Sequence, residues 1–169
     1  MTSTRPTIRI RRPVPGIRLI GLICGLWAIW QPTAAPAGDG LDPESPEYAA
    51  ITLAAPDIKR DKFELRDDFW SGELREEAGK AIRLQLFKGN TYKLFFAVGT
   101  DEAEKGTKVF LKVMSRENEV VAESKGKKGS ATSVEIDPPA TGLYLVLMRI
   151  ETKGDDDRSV ACALFYGYE

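Results

Sequence analysis

Beyond residue 60, apolar and polar residues alternate with a period of two, and glycine, proline and acidic clusters break the alternation at short intervals. This is the pattern of short strands in antiparallel sheets, in which successive side chains point to opposite faces. The longest run is Gly142-Leu143-Tyr144-Leu145-Val146-Leu147-Met148-Arg149-Ile150, entered through Asp137-Pro138-Pro139-Ala140-Thr141. The two prolines cannot donate to a ladder, so the strand begins after them. It reads as a buried interior strand with Tyr144, Val146, Met148 and Ile150 on one face. Upstream, Ile82, Leu84 and Leu86 share a face opposite Arg83 and Gln85, and Lys88-Gly89-Asn90 then predicts a hairpin turn into a strand carrying Tyr92, Leu94, Phe96 and Val98. Phe95 and Ala97 on the other face of that strand predict a central position, covered on both sides.

Further alternating runs carry Val109, Leu111 and Val113; Val120 to Ala122; Val134 and Ile136; and Val160, Cys162, Leu164 and Tyr166. Polar turns are predicted at Arg116-Glu117-Asn118-Glu119 and Lys125-Gly126-Lys127-Lys128-Gly129, and acidic loops at residues 99–106 and 154–157. About eight short strands with regular turn signals predict an all-β domain over residues 61–169, an antiparallel sandwich or jelly roll.

Residues 1–37 read differently. Arg5, Arg9, Arg11, Arg12 and Arg18 precede an apolar run of 12 residues, Leu19 to Trp30, and Ala35-Pro36-Ala37 offers small residues to a signal peptidase. The run is shorter than the roughly 20 residues of a membrane-spanning helix. A cleavable signal peptide ending at Ala37 is therefore expected, with a periplasmic or extracellular product and no stable membrane span after processing. Arg11-Arg12 is followed by Pro13 and Pro15 and lies well before the apolar run, which argues against a twin-arginine signal. Ile23, bulky beside Cys24, argues against a lipoprotein cysteine. Residues 38–60 are expected to form a flexible segment: 38–47 have little to bury, residues 48–53 fit either a short edge strand or one helical turn, and Pro56 ends either.

Without its leader the chain loses five of its 24 basic residues and keeps all 25 acids, leaving 19 against 25 and a formal charge of −6. An acidic total argues against nucleic-acid binding. Cys162 becomes the only cysteine, so no internal disulfide forms and stability rests on packing.

Three stretches together, Phe87-Lys88-Gly89-Asn90-Thr91-Tyr92, Val109 to Met114 followed by Glu119-Val120-Val121-Ala122, and Pro139-Ala140-Thr141-Gly142-Leu143-Tyr144-Leu145-Val146, resemble the bacterial pre-peptidase C-terminal domain and related secreted jelly-roll modules. The resemblance spans about residues 81–166 and implies a sandwich in which Gly142, Tyr144 and Val146 serve the fold. Such modules usually accompany a catalytic domain, so it implies an accessory or binding protein and leaves the ligand open. The family often carries an Asp-rich entry to its third strand, where this chain has Lys105-Gly106-Thr107-Lys108, a departure that weakens a transfer of calcium binding.

The chain contains no histidine, which removes the commonest general base, the usual Ser and Cys triads and imidazole metal sites. Cys162 in mid-strand reads as a core residue, and the Ser124/Lys127 spacing lies in a predicted turn, without the helix that stacks a catalytic Ser-x-x-Lys pair. Glu73, Glu76 and Glu77 leave open a carboxylate-dependent hydrolase, although a solvated segment has the same composition. Asp155, Asp156 and Asp157 offer oxygen ligands to calcium, or a solvated loop tip; no other cofactor is indicated. Asp68, Phe69 and Trp70 are the candidates for ligand contact: an indole in a loop stacks on a sugar or fills a protein pocket, though the same aromatics would also close one end of a sandwich. The expectation is an exported, non-catalytic binding or accessory module of the bacterial envelope, whose partner is a polysaccharide or a protein. The alternatives are a small hydrolase or a structural subunit of an envelope complex.

Overall fold

The structure, a computed structural model, describes residues 40–76, 78–153 and 158–169. The expected signal peptide lies outside the described residues. In the described part the alternating runs become nine strands: β1 (Glu64–Leu65), β2 (Trp70–Leu74), β3 (Lys80–Leu86), β4 (Tyr92–Val98), β5 (Lys108–Met114), β6 (Val120–Lys128), β7 (Ala131–Ile136), β8 (Gly142–Glu151) and β9 (Val160–Tyr168). Two helices join them, α1 (Pro46–Ile58) and α2 (Thr100–Glu104).

All pairings are antiparallel and nested: β2 pairs with β9, β3 with β8, β4 with β7 and β5 with β6. Cross-pairs of β4 with β9 and of β5 with β8 then gather the strands into two sheets. One sheet runs β2-β9-β4-β7, with short β1 continuing the β2 edge, and the other runs β3-β8-β5-β6. A long hairpin folded over into two packed sheets is a jelly roll. The inner faces meet in one core, where Leu86, Leu94, Phe96, Leu111, Val146 and Leu164 are almost wholly buried. The face predicted for β8 is the buried one, and both β4 and β8 are interior strands.

The predicted β3–β4 hairpin does not form. Both strands give an apolar face to the core, but β3 is polar on its other face whereas β4 carries Phe95 and Ala97 there. β3 therefore belongs at a solvated edge and β4 under cover, and residues 87–91 arch from one sheet to the other. The arch is held to both sheets, by Lys88 N–H to the Thr141 hydroxyl at 2.9 Å and by reciprocal 3.0 Å bonds between Thr91 and Glu169.

The segment expected to be flexible over 38–60 instead contains α1. Ser45 caps it by accepting the Tyr48 N–H at 3.1 Å, and Pro46 begins it, where no donor is lost. Its buried stripe is Ala49, Ala50 and Ala54, small enough to lie flat on Ala97 and Ala163 of the outer face of the β4 sheet. Pro56 forfeits one donor without ending the helix, which closes with Lys59 N–H on the Ala55 carbonyl at 3.2 Å. Buried Asp57 takes Lys93 of β4 at 2.8 Å, and Arg60 also binds it, so a carboxylate at an unfavourable helix C-terminus is offset by two cations.

Two turn expectations also change. The predicted acidic loop at 99–106 holds α2, whose Glu102 pairs with Arg158 at 2.7 Å and Lys105 at 2.9 Å. The predicted turn at 125–129 is largely strand, since β6 continues to Lys128 before Gly129 and Ser130 reverse the chain. Among the described residues no helix is long and apolar enough to cross a membrane.

Candidate functional site

Asp68, Phe69 and Trp70 are contiguous in sequence but part company in the fold. Residues 66–69 bulge between β1 and β2, while β9 runs on opposite them with only Phe165 and Tyr166. Trp70 is the first residue of β2, paired with Leu164, not the loop residue expected. Its indole packs against the central core and lies along Gly72, where even a methyl group would meet the ring at 2.9 Å. Phe69 points the other way and stacks on Phe165, centroids 4.4 Å apart and planes within 9°, leaving it 48% exposed beside the α1 contact. Asp68 accepts the Tyr166 hydroxyl at 2.6 Å and Arg66 Nε at 3.3 Å. The Tyr166 bond, followed by that of Arg66, holds the Asp68 carboxyl below its ordinary range, while burial and then Asp68 push Tyr166 up to about 12. The three residues thus make a fold contact, an aromatic patch and a hydrogen-bonded edge.

The other candidates are dispersed. Glu73 accepts the Ser159 hydroxyl at 2.7 Å, and Glu76 accepts the backbone N–H and hydroxyl of Thr152 at 3.0 and 2.7 Å. Each carboxylate is engaged with a separate partner across a strand end, while Glu77 lies outside the described residues. Asp155, Asp156 and Asp157 also lie outside them; within the described residues no three acidic or cysteine side chains converge on a metal-sized space. Burial raises the Cys162 thiol to about 12, so it is protonated at neutral pH. Ser124 is buried in β6 against the Thr132 hydroxyl, in a strand and away from any helix.

A surface that single residue types did not mark is the outer face of the β3-β8-β5-β6 sheet. α1 covers the corresponding face of the other sheet, but no described element covers this one. Its middle is aliphatic, with Leu143, Leu145 and Leu147 of β8 beside Met114 of β5, and Leu143 and Val120 are 53% and 50% exposed. A groove of about 780 Å³ occupies one end of this face, between the β5–β6 turn at 115–119 and the β7–β8 loop at 139–142, with Arg83, Leu143 and Leu145 in its lining. Tyr144 fixes the second wall by donating its hydroxyl to the Ala140 carbonyl at 2.8 Å. Asn118 shapes the first with a left-handed backbone, φ 64°. On this face the Phe110 ring is capped by the Arg149 guanidinium at 4.3 Å from its centroid, and Phe87, just past the end of β3, is 53% exposed. The signal was present in the run Leu143 to Met148, apolar at every position and therefore apolar on both faces.

No family model matches this chain, and no curated protein matches it.

Proposed function

We propose that this chain is an exported, non-catalytic binding or accessory module of the bacterial envelope, and that it holds a protein partner on the outer face of the β3-β8-β5-β6 sheet. The observation that carries the reading is the unequal cover of the two sheets: a helix seals one outer face, and the other keeps an exposed aliphatic stripe leading into a groove. Contiguous exposed apolar surface edged by charge is characteristic of docking sites. The middle of the stripe is aliphatic and the Phe110 ring within it is capped by Arg149, which favours a protein over a polysaccharide there, because sugars stack on open aromatic planes. Export rests on the signal-like residues 1–37, and an accessory role is also what the resemblance to pre-peptidase C-terminal domains implies.

Exposed Phe69, stacked on Phe165, favours a second reading, a sugar platform on the opposite sheet. Co-sedimentation of the exported protein with insoluble peptidoglycan, chitin and cellulose tests it, with and without calcium. Binding lost on Phe69→Ala would establish the sugar platform. Binding to no glycan, together with cross-links formed in living cells from a photoreactive residue at position 145 but not at 69, supports the protein-docking reading. Cross-links from neither position would count against it.

A further inference from the structure

Each sheet of a sandwich ends in two edge strands, whose outward N–H and C=O groups can pair with another chain unless something blocks them. Three of the four edges here are blocked. β6 and β7 follow one another around Gly129 and Ser130, and the buried Ser124 and Thr132 hydroxyls join them, so these two edges close on each other. At the other edge of the β4 sheet, the bulge at residues 66–69 interrupts the run from β1 to β2, and Asp68 within it holds Tyr166 of β9. β3 has no such device among the described residues. All seven of its residues, Lys80 to Leu86, pair in unbroken register with β8, and no described strand lies beyond them.

The ladder fixes which groups of β3 face outward. Ser115, directly after β5, donates its N–H to the Glu119 carbonyl at 2.8 Å, so odd-numbered residues of β5 address β6 and even-numbered ones address β8. The register shift between Val113 and Met114 inserts Val121 on the β6 side and leaves β5 regular. Met114 and Leu145 are therefore a bonded pair, and alternation along β8 turns Tyr144 and Val146 toward β3, where they meet Leu84 and Ile82. The N–H and C=O groups of Ala81, Arg83 and Gln85 then point off the edge in one row, with no partner among the described residues.

The flanking side chains define what fits this row. Ile82 and Leu84, on the core side of β3, are only partly buried, as is Trp70 of β2, so the rim of the core is open along the strand. On the outer side Arg83 is exposed, as is Lys80 at the start of the strand. Neither forms an ion pair among the described residues, although Glu117 and Glu119 line the groove that Arg83 reaches. β3 thus carries two cations and no acid, in a chain whose formal charge without its leader is −6. We propose that β3 accepts an extended segment of a protein partner as a fifth, antiparallel strand of its sheet, with apolar residues beside Ile82 and Leu84 alternating with acidic residues beside Arg83. Strand addition of this kind draws affinity from the backbone row and selectivity from alternate side chains. A second copy of β3 is a poorer occupant, because the antiparallel register with the fullest overlap sets Arg83 against Arg83. The site is the rim of the sheet, separate from its outer face, and does not depend on that face being a docking surface.

The test is amide hydrogen exchange, followed by nuclear magnetic resonance on the full exported protein, with capped heptapeptides of alternating valine and glutamate as the probe. In the free protein the amides of Ala81, Arg83 and Gln85 should exchange quickly while those of Ile82 and Leu84 are protected, and saturating peptide should slow the first three about tenfold or more. A peptide of alternating valine and lysine should bind about tenfold more weakly, and Arg83→Glu should reverse that preference. Methylating the glutamate nitrogens, which face β3 in an antiparallel pair, should abolish binding, whereas methylating the valine nitrogens should not. Gln85→Pro removes an outward donor and no ladder bond, so it should melt as wild type does yet weaken capture about fivefold or more. β3 amides that do not respond to the glutamate peptide overturn the proposal, as do equal binding of the two peptides or slow exchange at all three outward positions in the free protein. Slow exchange that depends on protein concentration would overturn it in favour of a second copy.

Discussion

Replacing Trp70 separates a ligand-binding indole from a structural one. A ligand platform would lose capture on Trp70→Ala at an almost unchanged melting temperature. The structure leads to the opposite expectation. Trp70 opens β2 opposite Leu164, its ring packs on the central core, and it covers Gly72, which has no side chain of its own to protect that edge. Full truncation of a buried aromatic costs about 3–5 kcal/mol. Trp70 is only partly buried, so about two thirds of that, roughly 2–3 kcal/mol, is expected. For a domain of this size each kcal/mol lowers the melting temperature by about 3–5 °C, giving a fall of about 6–15 °C. Trp70→Phe retains a ring over Gly72 and should lose less than half as much. Thermal melts followed by far-ultraviolet circular dichroism measure both. A Trp70→Ala protein melting within about 2 °C of wild type would refute the packing argument.

Gly167 of β9 lies beneath Phe63, and a Cβ there would sit 2.6 Å from the Glu64 carbonyl; Gly167→Ala should therefore cost about 1–3 kcal/mol, read by urea titration. Burial and Asp68 raise Tyr166 to about 12, so the folded chain keeps a proton that the unfolded chain releases near pH 10. Its contribution is intact below that value and lost as pH rises towards 12; Tyr166→Phe should flatten the alkaline limb of the stability curve, and an unchanged limb would show that Tyr166 does not produce it. Cys162, buried and with its thiol raised to about 12, should react with a disulfide reagent only as fast as the protein unfolds, so labelling faster than unfolding would argue against a closed core. Changing Leu143 and Leu147 together to threonine should leave the melting temperature within about 3 °C of wild type while abolishing cross-links from a photoreactive residue at position 145, whereas a large fall would make the stripe part of the core.

The period-two pattern carried the strands and their buried faces, because strand geometry sends alternate side chains to opposite sides whatever the partner. It did not carry the pairing. Lys88-Gly89-Asn90 permits a tight reversal or an arch equally well, and the choice lay in Phe95 and Ala97, whose apolar face required a cover that β3 could not give. That cover was hard to read because its contact residues are alanines, which add little hydrophobicity to a segment rich in proline and acid. In Asp68-Phe69-Trp70 adjacency suggested a shared role, but neighbours at the start of a strand face opposite ways: Trp70 goes into the core and Phe69 to the helix side. The groove joins residues near 83, 117 and 143, which become neighbours only through the nested pairing of β3 with β8 and β5 with β6.

The leucines on the outer side of β8 bear on function because the core does not require them. Tyr144, Val146 and Met148 fill the interior, and the intervening positions project away from it. Threonine or lysine would suit the same backbone and favour solubility. β4 and β9 show how this fold treats apolar outer positions that have no external role: Ala97, Ala163 and Phe165 are placed under a helix. β8 carries the larger residues and receives no described helix. Exposed aliphatic surface is unfavourable in water and invites aggregation unless it is covered for part of the protein's life. Among the described residues a helix covers one apolar sheet face while the other, with Leu143 and Val120 exposed, has no cover, and this inequality is what the proposed docking surface is built on.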